Sequence, residues 1–237
     1  MILAMPMNGE GQRFKDAGYA IPKPFILVNG TPLYQLALAS YPMVQRRILV
    51  ARTPVATQLV VQVGRDIPVA LDEATQGPLE TLLHPTVIPL IDNEHELLIA
   101  DCDALINPDE LRWCLTRWRP DGASGGVTVR HTTDPNVSYA ELCLRRAQER
   151  WKVLRTGERE RVSEWSTTGP YWWKRGSDFV RCGHKAMAGG TTGISPVYNT
   201  LIAEEGKVFA IPVATFEHLG TPKSLEDYAL RHRPALE

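Results

Sequence analysis

The stretch Ile2-Leu3-Ala4-Met5-Pro6-Met7-Asn8-Gly9-Glu10-Gly11-Gln12-Arg13-Phe14 decides how this chain folds. Its apolar residues 2–6 predict a buried strand, and the glycines that follow predict a loop at the strand's carboxyl end. Gly9 and Gly11 have no side chain, so backbone N–H groups of the loop can approach phosphate oxygens. The spacing matches neither the dinucleotide motif G-x-G-x-x-G, because Phe14 holds the third glycine position, nor a P-loop.

Two cations near this loop suit a triphosphate. Arg13 offers a planar guanidinium that can bind the β- and γ-phosphates. Lys23 adds a compact charge, and Pro22 and Pro24 on either side restrict its backbone. Two glycines alone would indicate an ordinary turn, but the glycines, the arginine and the bracketed lysine together predict a triphosphate-binding loop.

Apolar runs alternate with helix-like patterns through residues 1–120, which favours a parallel sheet with helices on both faces. Beyond residue 120 the pattern changes to strands joined by polar turns. Thr31, Thr53 and Asn107 are predicted helix caps. The predicted strands are 2–6, 47–51, 67–71, 97–100, 125–130, 138–144, 151–154, 168–173 and 207–213, and the predicted helices are 31–41, 53–63, 107–118, 176–187, 194–203, 221–231 and one that begins over 78–83. We therefore expect one α/β domain, 1–237, with a mostly parallel mixed sheet flanked by helices.

Two acids follow the apolar run 97–100. Asp101 and Asp103 are two positions apart, so in an extended segment their side chains point to the same face. Crowded carboxylates repel each other unless a cation lies near them. A triphosphate brings Mg²⁺, which one or two carboxylates hold while phosphate oxygens and water fill the other positions. The pair therefore predicts a Mg²⁺ site, the alternative being two solvated acids before a helix.

The glycine pair, Arg13, Phe14 and the segment Pro22-Lys23-Pro24 together resemble the start of the sugar-phosphate nucleotidylyltransferases. The resemblance is to a short bacterial form without a C-terminal β-helix, tied to capsule and surface-sugar pathways. It implies a Rossmann-like, GT-A type fold and an attack by a sugar 1-phosphate on the α-phosphate of a nucleoside triphosphate, with loss of pyrophosphate. It also implies catalytic roles for Arg13, Lys23 and Asp103, with Asp103 as the Mg²⁺ ligand and Asp101 as a helper.

The resemblance extends to the segments 75–81, 134–139, 157–163, 167–172 and 195–199. We expect a nucleotide-binding half, 1–120, and an acceptor-binding half, 121–237. Glu158 and Arg159 stand where the family has Glu-Lys, and arginine can also hold a phosphate. Thr168 and Gly169 match a Thr-Gly turn, so these four residues are implied to bind the acceptor, although 157–163 also reads as a charged surface hairpin. The implied nucleotide-binding residues are Met7, Asn8, Gly9, Glu10, Gly11, Gln76 and Gly77.

One position departs from the family pattern. Near the C-terminus the family carries an aspartate as second metal ligand, and this chain has His218 there. Mg²⁺ prefers oxygen to imidazole nitrogen. Four interpretations stay open: Glu217 takes the role, His218 binds a softer ion or a phosphate, Asp103 holds the ion with triphosphate and water alone, or His218 has no catalytic role.

The composition of the chain limits the kinds of partner that it can bind. The net charge of −1 provides no basic field for nucleic acid. No apolar run reaches the roughly 20 residues that span a bilayer, which predicts no membrane partner. Four widely spaced cysteines without a Cys-x-x-Cys pair fit a reducing compartment, so we expect a cytoplasmic protein. The expected partners are a nucleoside triphosphate and a small phosphorylated acceptor, and a homo-oligomer is compatible with the sequence.

Two other functions fit parts of the chain. The Asp101-Cys102-Asp103 triplet also suits a GT-A glycosyltransferase with a nucleotide-sugar donor, although that reading leaves Arg13 and Lys23 unexplained. A non-catalytic nucleotide-binding module would account for His218 and Arg159. The sequence does not distinguish CTP, UTP and dTTP as the nucleotide, and it does not identify the acceptor.

Overall fold

The computed structural model describes residues 1–120, 122–143 and 150–233. The described strands are β1 Ile2–Pro6, β2 Leu27–Val28, β3 Thr31–Pro32, β4 Arg46–Arg52, β5 Asp66–Leu71, β6 Leu97–Ile99, β7 Ala104–Ile106, β8 Gly125–His131, β9 Ser138–Cys143, β10 Trp151–Glu158, β11 Trp165–Trp173, β12 Val208–Pro212 and β13 Phe216–His218. The described α-helices are α1 Gln12–Asp16, α2 Leu33–Leu38, α3 Thr53–Ala56, α4 Pro78–Leu82, α5 Ile88–Ile91, α6 Pro108–Trp118, α7 Gly176–Ala188, α8 Val197–Ala203 and α9 Pro222–Arg231, and Lys23–Phe25 forms a 3₁₀ turn.

Nine of the described strands form one mixed sheet in the order β5-β4-β1-β6-β11-β8-β12-β10-β9. The first four strands are mutually parallel. β11 is antiparallel to β6 and β8, β12 is parallel to β8, and β10 is antiparallel to β12 and β9. A further pairing of Ser166 on β11 with Tyr139 on β9 closes the last five strands into a barrel-like arrangement.

The mixed α/β sheet is confirmed, but the expectation of a mostly parallel sheet describes the first half only. Parallel neighbours need a crossover of a dozen or more residues, which the helices of the first half provide. β9 and β10 are neighbours in the sheet and are joined by only the seven residues 144–150, too few for such a crossover. Antiparallel pairing therefore dominates the second half. The one sheet runs through both halves of the chain.

Helix caps agree with the sequence at some positions and not at others. Asn107 Oδ1 accepts hydrogen bonds from the backbone N–H groups of Asp109 (2.8 Å) and Glu110 (3.2 Å), as predicted. Thr31 is not a cap, because it pairs with Val28 in a two-stranded ribbon. The predicted helix 53–63 ends at Ala56 and its cap is Arg52, not Thr53. The predicted strand 138–144 ends at residue 143, and its last residue lies outside the described part of the chain.

The core lies on both faces of the sheet. Along β1, Ile2 and Ala4 face one buried cluster, while Leu3 and Met5 face the other, as the alternation of a strand requires. On β8, a Cβ added to Gly126 would lie 2.4 Å from the Trp118 ring, so only glycine lets α6 pack there. Trp118 in turn stacks on Trp172 of β11. Buried aromatic rings thus join the two halves of the chain.

The C-terminal elements return to the amino-terminal loop. β13 pairs with β7, just after the acidic segment 101–103. α9 is anchored by Tyr19, whose hydroxyl donates to Glu226 (3.0 Å), and by Asn29, whose amide donates to the backbone carbonyls of Ala229 (3.1 Å) and His232 (2.9 Å). Within the described residues, no helix is both long and apolar enough to cross a membrane.

Candidate active site

A cavity of about 200 Å³ opens where β1 and β6 end. Carboxyl ends of neighbouring parallel strands are where such sheets bind ligands. The cavity collects seven of the sixteen residues that the sequence singled out, and adds Pro6, Pro24, Thr75, Pro78, Thr81 and Cys102. Asp103 does not line it. The predicted residues that line it are Met7, Asn8, Gly9, Gly11, Lys23, Gly77 and Asp101.

The glycine loop closes one side of this cavity. Gly11 has a φ of +67°, a left-handed conformation that favours glycine. A Cβ there would also lie 3.1 Å from the Cβ of Lys23, so the small residue lets the lysine backbone approach. A Cβ on Gly9 would meet no described atom within 4 Å. Of these two loop glycines, Gly11 is therefore the one that the fold requires. Gly9 leaves open space beside the cavity.

Lys23 and Asp103 form an ion pair inside the site. Lys23 Nζ donates to Asp103 Oδ2, and His218 Nε2 lies 3.6 Å from the same oxygen. The Asp103 side chain is only 6% exposed. Burial alone would raise its pKa, but the charge of Lys23, then that of His218, outweigh burial and lower the pKa of Asp103. The reciprocal attraction of Asp103 outweighs burial at Lys23 and raises the pKa of that ammonium. Asp103 is thus ionised and compensated.

Asp101 is in a different state. Its carboxylate lines the cavity and makes no hydrogen bond or ion pair with another described side chain. Burial, and then the charge of Asp103, raise the pKa of Asp101 to about 6, and His218 and Lys23 offset only part of this. The two aspartates therefore differ sharply: one is neutralised by the protein, and the other has no compensating cation of its own.

The C-terminal ribbon forms the wall beside Asp103. The backbone N–H of Leu219 donates to the Asp103 carbonyl (2.7 Å). A Cβ on Gly220 would lie 2.7 Å from Asp103 Oδ2 and 2.5 Å from His218 Cε1, so the ribbon is in close contact with both side chains. Glu217 is turned to Arg231, which donates to its two oxygens at 2.7 and 3.0 Å. That hydrogen bonding lowers the pKa of Glu217 and occupies the carboxylate.

The donor atoms fit Mg²⁺ bound together with a nucleotide. The described residues contain no group of three or more His, Cys, Asp or Glu side chains that could hold a metal alone. The site offers the carboxylate oxygens of Asp101 and Asp103, which are hard ligands. Mg²⁺ in nucleotide sites is commonly held by one or two carboxylates, with substrate phosphates and water completing the octahedron. Two carboxylates near the glycine loop match that pattern.

Further charges surround the outer face of the loop. Arg13 lies in α1, is exposed, and has no hydrogen bond or ion pair with any residue the structure describes. Glu10 accepts a hydrogen bond from Lys15 and lies 2.8 Å from Arg52, and these cations lower its pKa. Glu10, Lys15 and Arg52 line a second cavity of about 160 Å³ on that side. Arg13 lines neither cavity, and Glu10 is engaged by two cations.

The segment 73–81 forms the opposite side of the first cavity. Asn8 Nδ2 donates to the Glu73 carbonyl (3.1 Å) and to Thr75 Oγ1 (3.0 Å), which ties the glycine loop to this segment. A Cβ on Gly77 would lie 2.6 Å from a backbone oxygen, so glycine is needed there. Gln76 is exposed and does not line the cavity, and its backbone N–H donates to the Glu80 carboxylate.

The four predicted acceptor residues lie on β10, β11 and the turn after β10. Glu158 is exposed, and its carboxylate lies against Gly193, where an added Cβ would be 2.3 Å from Oε2. Arg159 is exposed with a φ of 53°. Thr168 is buried, with its hydroxyl 2.7 Å from that of Thr128. Gly169 alone reaches the first cavity region, because a Cβ there would lie 3.9 Å from Asp101 Oδ2.

Several other residues of this region were not predicted from the sequence. Thr75 Oγ1 and Thr81 Oγ1 lie 2.6 Å apart, and both residues line the cavity. The signal for both was their position in the same segment as Gln76 and Gly77. Tyr171 is buried, and burial followed by the charge of Asp101 raises its pKa. Tyr171 could have been predicted at the site from its position two residues after Gly169. The contact of Gly193 with Glu158 had no local signal, because 34 residues of chain separate them.

Comparisons with known proteins place the fold. No family model matches the chain, and no curated protein sequence matches it. Solved structures do. A nucleoside-diphosphate-sugar pyrophosphorylase from Vibrio cholerae RC9 is 21% identical, with a TM-score of 0.77 over 97% of this chain and 100% of that one. An inositol-1-phosphate CTP transferase from T. maritima is 15% identical, with a TM-score of 0.71 over 99% and 98% of the two chains.

A UTP-bound UGPase from Acinetobacter baumannii is 13% identical, with a TM-score of 0.76 over 98% of this chain and 92% of that one. The structural neighbours are thus nucleotide-sugar pyrophosphorylases and sugar-phosphate nucleotidyltransferases. The chain has the fold of these enzymes along nearly its whole length. At this level the comparisons agree with the family resemblance of the glycine loop.

Proposed function

We propose that this protein is a nucleotidyltransferase that moves a nucleoside monophosphate from a nucleoside triphosphate to a sugar 1-phosphate or a similar small phosphorylated acceptor, with release of pyrophosphate. The observation that carries the proposal is the cavity itself. The glycine loop, Lys23 and the carboxylate of Asp101 line it at the strand ends, and Lys23 donates a hydrogen bond to the buried carboxylate of Asp103. The shared fold with pyrophosphorylases and transferases supports the same reaction class.

Each part of the site has a role in this reaction. The acceptor phosphate is already ionised at neutral pH, so positioning and charge neutralisation suffice and no strong base is needed. Backbone N–H groups at Gly9 and Gly11 hold the β- and γ-phosphates, and Arg13 adds a cation from the loop. Lys23 neutralises charge at the α-phosphate. Mg²⁺, when bound at Asp103, would supply charge neutralisation along the triphosphate.

The acceptor approaches from the side of β10 and β11. Arg159 draws in its phosphate, and Glu158 contacts its hydroxyl groups. Gly169 lets it pass close to the backbone beside Asp101, where a side chain would intrude. Residues 1–120 form the nucleotide-binding half, of Rossmann-like GT-A type, and 121–237 the acceptor-binding half. A cytoplasmic location and precursors of capsule or surface polysaccharide complete the proposal, and both rest on the sequence alone.

Pyrophosphate release tests the reaction. The purified protein, with Mg²⁺, is assayed against the four common nucleoside triphosphates and a panel of sugar 1-phosphates and other small acceptor phosphates. At least one pair should release pyrophosphate. Lys23→Ala should lower that rate by about 100-fold or more, because it removes charge compensation made at the reacting phosphate. Lys174→Ala, which removes an exposed cation outside the cavity, is the matched control and should leave the rate unchanged.

The rivals give different products. A glycosyltransferase would release a nucleoside diphosphate from a nucleotide sugar and no pyrophosphate. A non-catalytic module would be stabilised by a triphosphate in thermal unfolding and show no turnover with any acceptor. Normal pyrophosphate release by Lys23→Ala would disprove the role given to the lysine.

A further inference from the structure

The glycine loop borders two cavities. The cavity of about 200 Å³ is the proposed nucleotide site, and the cavity of about 160 Å³ lies on the outer side of the loop. Met7, Gly9, Gly11, Lys23 and Pro24 line both, so the two cavities adjoin each other at the loop. Phosphates that bind along the loop in the first cavity are therefore next to the second, which we call the outer cavity.

Two cations of the outer cavity come from different elements and meet at one carboxylate. Lys15, on α1, donates to Glu10 Oε2, and Arg52, the last residue of β4, has its Nη1 2.8 Å from Glu10 Oε1. Each cation thus holds one oxygen of the same anion. A phosphate group offers oxygens to such a pair in the same way and carries more negative charge than a carboxylate. The pair is therefore arranged to bind a phosphate.

Glu10 is held in a way that a phosphate can replace. Its side chain is 46% exposed, and those of Lys15 and Arg52 are 48% and 35% exposed. Ion pairs with this exposure contribute little to stability, because water screens them. The hydrogen bond from Lys15 and the charge of Arg52 lower the pKa of Glu10, so it is an anion that competes with phosphate for both cations.

We propose that the outer cavity is a subsite for the terminal phosphates of the nucleotide, in which Lys15 and Arg52 bind phosphate and Glu10 is an internal anion that competes for them. The triphosphate displaces the Glu10 carboxylate from the two cations, and the carboxylate returns as pyrophosphate leaves. The family resemblance implied that Glu10 binds the nucleotide, whereas its side chain here opposes binding. The inference rests on the proposed function and deepens it, because it assigns the leaving group of that reaction to particular side chains.

Binding of inorganic pyrophosphate tests the proposal without any turnover. Titration calorimetry measures its affinity for the full chain in the absence of divalent cations, at about 0.15 M salt. Glu10→Gln should bind pyrophosphate about fivefold more tightly or better, because the competing charge is removed while both cations remain. Asp16→Asn is the matched control. It removes an exposed acid of α1 that lines neither cavity, and its affinity should stay within about twofold of the parent protein.

The opposite change is expected at the arginine. Arg52→Ala should bind pyrophosphate about tenfold more weakly, because it removes a charge-assisted contact to a phosphate. Arg46→Ala, which removes an exposed arginine at the other end of β4, should stay within about twofold of the parent. Circular dichroism of each variant verifies that it is folded.

Four results would overturn the proposal. They are binding by Glu10→Gln no tighter than by the parent, a gain in Asp16→Asn as large as that in Glu10→Gln, binding by Arg52→Ala within about twofold of the parent, and no binding by either the parent or Glu10→Gln below about 5 mM pyrophosphate. If no substrate pair releases pyrophosphate while Glu10→Gln binds it more tightly, the proposed function fails and the subsite stands. If the enzyme is active and Glu10→Gln binds pyrophosphate as the parent does, only the subsite fails.

Discussion

Asp101 makes the metal-free protein less stable as pH rises. Burial and the charge of Asp103 raise its folded pKa from 3.8 to about 6, whereas in the unfolded chain it keeps its ordinary value. A carboxyl whose pKa is higher in the fold binds its proton more tightly there. Its stabilising effect is therefore complete below about pH 4 and is lost as pH rises through about 6.

Asp101→Asn should therefore stabilise the protein at high pH only. With a chelator present at pH 8, we expect the free energy of unfolding to rise by up to about 3 kcal/mol, because asparagine carries no charge to bury. At pH 4 the variant and the parent should differ little. Urea unfolding followed by circular dichroism at both pH values measures this. An equal difference at pH 4 and pH 8 would contradict the explanation.

Arg13 is predicted to matter for binding and not for folding. It is exposed and unpaired among the described residues, so Arg13→Ala should change stability by less than about 0.5 kcal/mol. Loss of a charge-assisted contact should weaken the binding of inorganic tripolyphosphate by about 10–100-fold. Titration calorimetry gives both proteins' affinities. Arg46→Ala, an exposed arginine where β4 begins, is the control, and a similar loss there would point to nonspecific charge effects.

The two glycines of the loop are needed for different reasons: Gly11 for its backbone conformation and Gly9 for the open space beside the cavity. Gly11→Ala should cost about 1–2 kcal/mol of stability, because φ is +67° and the new Cβ would crowd Lys23. Gly9→Ala should leave thermal stability unchanged, since its Cβ meets open space, but should weaken tripolyphosphate binding. Thermal unfolding and calorimetry on the two variants test this. The explanation fails if Gly9→Ala is the more destabilised of the pair.

Local signals predicted those elements whose cause is local. The cap at Asn107 followed from Asn-Pro-Asp-Glu, because an asparagine side chain, a proline and two acids each favour a helix start. The helix predicted over 53–63 failed for a distant reason. The backbone N–H of Val60 donates to the hydroxyl of Tyr34 (3.0 Å) instead of to a carbonyl one helical turn earlier, so this part of the segment is not helical.

The same division holds at the site. The sequence singled out Gly9, Gly11, Lys23 and Asp101, which line one cavity, because each lies in a short segment with a recognisable pattern of residue types. The ion pair between Lys23 and Asp103 was not predictable, because the two residues are 80 positions apart and only the completed sheet brings them together. The hydrogen bond from Arg231 to Glu217 was likewise not predictable, because it depends on how α9 packs on β13.

At the scale of the whole molecule, the two halves of the chain share one sheet and one core. β6 of the first half pairs with β11 of the second, with Leu98 opposite Trp172. One buried cluster contains Val50 from β4 as well as Phe179 from α7 and Val208 from β12. Neither half could be separated without exposing a sheet edge and apolar surface.

Unfolding should therefore occur in a single step. We expect tryptophan fluorescence and far-ultraviolet circular dichroism to report the same urea midpoint, because all elements of the sheet lose their neighbours together. Buried tryptophans in both halves, Trp118 and Trp172, make fluorescence sensitive to each. Two distinct midpoints, or a stably folded fragment 1–120, would show that the halves are independent units.

The position of the C-terminal ribbon has a consequence for biosynthesis. β13 and the residues just after it supply the wall against Asp103, although Asp103 itself was made more than a hundred residues earlier. A ribosome adds about 5–20 residues per second, so for several seconds the nascent chain holds its acidic turn without that cover. The wall beside Asp103 is therefore completed only after β13 has been made, and a polypeptide stalled before Phe216 would leave that carboxylate uncovered.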